Sequence, residues 1–177
     1  VFPAAILLFA LLLPAAAQYK NLKFNQFDER DGLSNNTVNC IIQDTDGFIW
    51  IGTDNGLNRY DGYNFRHYKA DAGDSLSLIH DHVLVFYIAR DSSLWIGTQY
   101  GVCQYRKNTD DFIQYNRGYS HGYVRGFYED KEGRIYTVND RGQIYRIEKN
   151  NMVLLRDYNL HLYSYLNDAG GNHWFGV

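Results

Sequence analysis

Apolar residues come in short runs along this chain, and the runs show two patterns. Val83-Leu84-Val85-Phe86-Tyr87-Ile88-Ala89 has no polar face, the pattern of a strand covered on both sides. Asn64-Phe65-Arg66-His67-Tyr68 alternates, as a half-exposed strand does. Clusters of Asp, Asn and Gly separate the runs and supply the side-chain hydrogen bonds and positive φ of tight turns. The first unit predicts strands over 38–43, 48–53, 57–60 and 63–68. The second predicts strands over 83–89, 94–98, 102–105 and 111–115, with a compressed first turn at Asp91-Ser92-Ser93. A third runs over 124–129, 134–139, 143–147 and 152–158, and strands at 163–168 and 173–177 begin a fourth.

The residues repeat as well as the pattern. Trp50-Ile51-Gly52-Thr53 recurs as Trp95-Ile96-Gly97-Thr98, with altered copies at Tyr136-Thr137-Val138-Asn139 and Trp174-Phe175-Gly176-Val177. A period of roughly 40 residues built from strands alone is that of a β-propeller blade. Gly56, Gly101 and Gly142 follow Trp50, Trp95 and Tyr136 at one constant offset. A sandwich or barrel would share the short strands but has no need of the same residues at the same offset. The expected fold is therefore all-β, an incomplete arc of about three and a half propeller blades, each of four antiparallel strands. The blades are expected over 38–70, 83–117 and 124–159, with a partial one over 162–177. Trp50, Trp95, Tyr136 and Trp174 should anchor the second strands between blades, with Gly52, Gly97, Gly56, Gly101 and Gly142 as structural glycines. The first strand of each blade should be innermost and buried on both sides.

The two ends carry different signals. Residues 1–17 hold no charge, contain both prolines and finish in Ala15-Ala16-Ala17, the pattern of a secretory signal peptide with a truncated basic region. The stretch is short for a membrane span. Residues 18–177 are therefore expected in the periplasm, as the N-terminal part of a propeller. The last unit stops halfway through a blade, which would leave apolar strand faces without partners, so a longer parent protein is expected.

Composition narrows the chemistry. A net charge of −3 without a basic block argues against nucleic acid or anionic lipid. Cys40 and Cys103 fall on strands that should not be neighbours, and a bridge needs Cα atoms within about 7 Å, so both are expected as buried free thiols. Asp44-Thr45-Asp46-Gly47 begins like a calcium loop but lacks the later ligands, and reads as a hairpin turn. His80 and His82 could pair on a metal, yet a polar loop between blades explains them more simply. No serine sits in a nucleophile motif, so no catalytic residue, metal or cofactor is expected.

A ligand would meet the rim formed by the turns between second and third strands. Asp54 and Asn55, Gln99 and Tyr100, and Asp140 and Arg141 share it with residues 74–82 and 120–123. Carboxylates, amides, an arginine and aromatics suit sugar hydroxyls. Turn geometry already accounts for Asp54 and Asn55, whereas it demands neither Tyr100 nor Arg141, which makes these two the leading candidates.

Residues 31–38 (Asp-Gly-Leu-Ser-Asn-Asn-Thr-Val) and 44–62, from Asp44-Thr45-Asp46-Gly47 through Trp50-Ile51-Gly52-Thr53 to Asp61-Gly62, resemble the two-component regulator propeller repeat. The resemblance implies the exported sensor region of a hybrid two-component system, a sensor histidine kinase that detects oligosaccharide and controls glycan-utilisation genes. It also implies remaining blades and downstream domains in the same chain, a homodimeric parent, and an outer strand at 22–27 completing the last blade of a ring. Two other readings stay open at this point: an exported propeller lectin or carbohydrate-active enzyme without a kinase, and a structural or interaction propeller.

Overall fold

The computed structural model describes residues 23–116, 119, 122–149, 151–168 and 170–177; the expected signal peptide lies outside the described residues. The first sheet holds β1 (Val38–Gln43), β2 (Ile49–Thr53), β3 (Gly56–Tyr60) and β4 (Phe65–Tyr68) in sequence order. The second holds β5 (Val83–Ile88), β6 (Leu94–Thr98), β7 (Gly101–Arg106) and β8 (Asp111–Tyr115), again in order. The third holds β9 (Val124–Glu129), β10 (Ile135–Asn139), β11 (Gln143–Glu148) and β12 (Asn151–Asp157). A hairpin of β13 (Ser164–Asn167) and β14 (His173–Gly176) follows. Every pairing between these strands is antiparallel.

The first strands pack on one another in succession, β1 against β5, β5 against β9 and β9 against β13, so they form the inside of the arc. The cores lie between sheets. Trp50, Leu57, Val83, Ile96 and Phe112 fill the first gap, Trp95, Val102, Val124, Phe127 and Tyr145 the second, and Tyr136, Val138, Ile144 and Leu162 the third. The expectation that first strands are buried on both sides is corrected. β6 and β10 are buried at every position, whereas β5 is half-buried beyond Val83 and β1 has no buried residue. An innermost strand has one edge that no strand covers, while a second strand has a strand on each side and a sheet against its face.

Close approach of neighbouring sheets explains the glycine of the repeated motif. A Cβ on Gly97 would lie 2.5 Å from Val124 Cγ1 and 2.6 Å from Val85 Cγ1. In the third blade Val138 takes the glycine's place, and the residue paired opposite it on β9 is Gly126. A Cβ on Gly126 would overlap the Tyr165 ring of the next hairpin. The altered motif therefore keeps the same space and moves the small residue to the facing strand. Gly56 and Gly101 are required for a different reason: φ is 111° and 142°, and a Cβ would stand 2.9 and 2.8 Å from the carbonyl oxygens of Tyr68 and Tyr115.

Residues 23–28 form no strand. The expected partner of a strand at 22–27, the last blade of a ring, is not among the described residues, and Leu22 lies outside them. Phe27 instead packs on Tyr60 and Phe65 at 5.3 and 5.7 Å between ring centroids. Cys40 and Cys103 are both free thiols, and burial pushes each up to about 12. Cys103 is buried and accepts the Ile79 N–H at 3.2 Å; Cys40 is only half-buried, because it sits on the partly open β1.

Candidate functional site

The aromatic anchors are tied to the turns that precede them. Trp50 is fully buried and its indole N–H donates to Asp44 Oδ2 at 2.7 Å. Asp44 Oδ1 meanwhile accepts the N–H groups of Asp46 and Phe48, which closes the hairpin. Asp130 does the same for Glu132, Arg134 and the Tyr136 hydroxyl, and Asp168 for Gly170, Asn172 and the Trp174 indole. One carboxylate thus fixes both a turn and the ring that anchors the following strand. In the second blade the compressed turn supplies Ser93 Oγ to Trp95 at 3.0 Å instead. Burial works to raise Asp130, but donors from the Arg134 backbone, Tyr136 and the Arg134 side chain hold it down at about 2. The Trp174 indole and the Asn172 amide hold Asp168 at about 2. Trp174 departs from the expected burial: it is 58% exposed, and among the described residues its hairpin pairs with no further strand.

The rim at the turns between second and third strands forms a chain of contacts from blade to blade. The residue just after each second strand reaches the entry of the next blade. Asp54 Oδ1 meets His82 Nε2 at 3.0 Å, Gln99 Nε2 donates toward Tyr123 Oη at 3.5 Å, and the Asp140 carbonyl accepts the Leu162 N–H at 2.7 Å. The His82 ring stands edge-on to Tyr123 at 5.9 Å. Asn39 also donates to Asp54 and to the Val83 carbonyl. Asn55 is held by Lys69, and its backbone N–H donates to Thr53. Asp54 and Asn55 are therefore engaged in joining loops and blades.

Tyr100 is 43% exposed and packs edge-on against His80 at 4.7 Å. Arg141 lines a cleft of about 400 Å³ with Gln143, Asp157, Leu160 and His161. These two leading candidates share the rim but stand at different blade boundaries. His80 and His82 serve separate partners rather than one centre: the His82 N–H donates to His80 Nδ1 at 3.1 Å, while the His82 ring faces Asp54. Ser120 lies outside the described residues.

Two features were missed in the sequence. The turn aspartates 44, 130 and 168 stand at one offset before their aromatic residues, a visible signal that reads only as hairpin chemistry until the side-chain bonds are seen. The other is a cleft of about 540 Å³ on the opposite face, lined by Tyr87, Arg90, Tyr128, Lys131, Asp168 and His173 among others. Its carboxylates are already committed: buried Glu129 accepts Arg90 at 2.9 Å, and Asp130 and Asp168 hold their turns.

Four-stranded antiparallel sheets succeeding one another around shared inner strands define a β-propeller arc. Residues 32–55 match the two component regulator propeller family, and the chain carries that repeat. A stretch of 75 residues, 42% of this chain, is 40% identical to Histidine kinase P4 of Formosa agariphila and spans 6% of that protein. The extracellular domain of the hybrid two component system BT4673 from B. thetaiotaomicron superposes with a TM-score of 0.64 at 20% identity, over 78% of this chain and 22% of that one. A virginiamycin B lyase from Staphylococcus aureus superposes with a TM-score of 0.61 at 17% identity, over 78% of this chain and 48% of that one. At these identities the two structures establish a shared fold.

Proposed function

We propose that this chain is part of the periplasmic ligand-sensing propeller of a hybrid two-component signalling protein, and that it detects oligosaccharide to control glycan-utilisation genes. The observation that carries the reading is the regulator propeller repeat at residues 32–55, supported by the identity shared with a histidine kinase. The rim around Tyr100 and Arg141 is the proposed contact surface, since it brings half-exposed aromatic rings, amides and charged groups to one face. Sugar hydroxyls need many hydrogen-bond partners and a flat apolar surface, and concave sites with a few placed polar groups are where ligands usually bind. Signal transfer would run through the remaining blades to kinase domains of a homodimeric parent, with export directed by residues 1–17.

Calorimetric titration of the full-length parent with oligosaccharides released from candidate polysaccharides tests this. The Tyr100→Ala, Arg141→Ala double variant should lower affinity at least tenfold at an unchanged melting temperature. Unaltered affinity would move the contact surface off this rim. A parent that binds none of the oligosaccharides overturns the reading.

A further inference from the structure

The first strands of the three four-stranded sheets, β1, β5 and β9, each carry a β-bulge at the same place, where they face the end of the second strand. The pairing skips Asn39 in β1, Leu84 in β5 and Arg125 in β9. Bulges re-aim a side chain, often beside a binding site. In the first blade the re-aimed donor is consumed: Asn39 Nδ2 bonds Asp54 and the Val83 carbonyl, stitching two blades together. In the third blade the equivalent donor is a guanidinium with a different fate. Arg125 Nε is buried without a hydrogen-bond partner, and Arg125 takes part in none of the ion pairs among the described residues. The group lies over the Tyr123 ring at 5.4 Å from its centroid. The carboxylate nearest in the repeat, Asp140, is turned to the Tyr123 backbone N–H at 3.0 Å.

A shielded, unpaired guanidinium N–H is rare and costly unless something supplies an acceptor. Guanidinium forks bind oxyanions in bidentate fashion, and the ring beneath Arg125 fixes its plane so that less freedom is lost on binding. Further donors converge here: Gln99 Nε2 and the Tyr123 hydroxyl stand 3.5 Å apart, and the His82 ring abuts Tyr123. We propose that Arg125, with Tyr123 and Gln99, is an anion subsite on the rim, taking the carboxylate or sulfate of an acidic saccharide. The proposal rests on the saccharide-sensing reading above and assigns the ligand's chemistry. The exposed ring faces take the sugar, and Arg125 takes its charge.

The test is calorimetric titration of the full-length parent with three probes of equal length: an oligogalacturonate, a sulfated galactan oligosaccharide and a neutral galactan oligosaccharide. An acidic probe should bind more tightly than the neutral one, and whether the uronate or the sulfate ester wins identifies the source of the anion. Arg125→Gln should weaken that acidic probe at least tenfold and remove the salt dependence of binding, without changing the melting temperature of the free protein. Arg125→Lys, which keeps charge and length but not the fork, should lose several-fold and carries the test should Arg125→Gln fail to fold. Binding of the neutral probe alone, or equal affinity of the parent and the Arg125 variants for the acidic probes, overturns the anion subsite and leaves saccharide sensing standing. Binding of no probe overturns both.

Discussion

Replacing Trp50 measures how much one carboxylate-to-indole link contributes to a blade. Trp50 is fully buried, stacks on Tyr68 at 5.7 Å and meets Tyr105 edge-on at 4.7 Å, while its N–H bonds Asp44 at 2.7 Å. A buried aromatic removes about 150–250 Å² from water, and deleting one from a packed core costs about 3–5 kcal/mol. Trp50→Ala should therefore cost about that much. Trp50→Phe separates the terms: it keeps most of the apolar surface but leaves Asp44 Oδ2 without its donor. A hydrogen bond to a charged group contributes about 1.5–3 kcal/mol, so the phenylalanine variant should fall between the parent and the alanine variant. Denaturant unfolding of the full-length sensor region, followed by Trp fluorescence and by circular dichroism, reads both values. A double-mutant cycle with Asp44→Asn isolates the coupling, which should be about 1 kcal/mol or more. Trp50→Phe as stable as the parent, with no coupling to Asp44, would refute the claim that this bond ties turn to strand.

Gly97→Ala should destabilise by about 1–3 kcal/mol through overpacking, because its Cβ would collide with Val85 and Val124, whereas Gly62→Ala meets no atom within 4 Å and suffers only its backbone strain at φ 99°; equal melting temperatures would contradict this. Asp130 sits at about 2 in the folded chain, below the ordinary carboxyl value, so the stability it contributes is full above about pH 4 and is lost as the pH falls toward 2. Melting curves between pH 5 and 2 should fall less steeply for Asp130→Asn than for the parent, and parallel curves would count against the link. A chain of residues 18–177 alone should self-associate, since Ile41, Leu154, Leu166 and Trp174 are exposed at the two ends of the arc; a monodisperse, cooperatively unfolding monomer would refute that.

Much of the fold was legible because a propeller writes its architecture in a period. The strand order, the turn glycines and the equivalence of Trp50, Trp95 and Tyr136 follow from residues recurring at fixed offsets. What escaped depends on contacts between blades. The Val138 and Gly126 exchange conserves a shared space rather than a residue type, so a motif that looks degraded along the chain is intact across the strand pair. The burial of the first strands was overstated because hydrophobicity reports what a strand tolerates, not which edge its neighbours leave open. Asp54 and Asn55 lie in a turn that the sequence makes visible, but their bonds to His82 and Lys69 need the third dimension. Arg125 was invisible for a similar reason: only the register shows that it occupies the same bulge position as Asn39.

Hydrogen exchange on the full-length parent, with and without its inducing oligosaccharide, tests the central claim most directly. The rim proposal predicts new protection of the backbone at residues 80–82, 99–100, 123–125 and 140–141, the segments that meet around the inner strands. Unchanged exchange in all four segments, with protection confined to other parts of a parent that binds the saccharide, would contradict it.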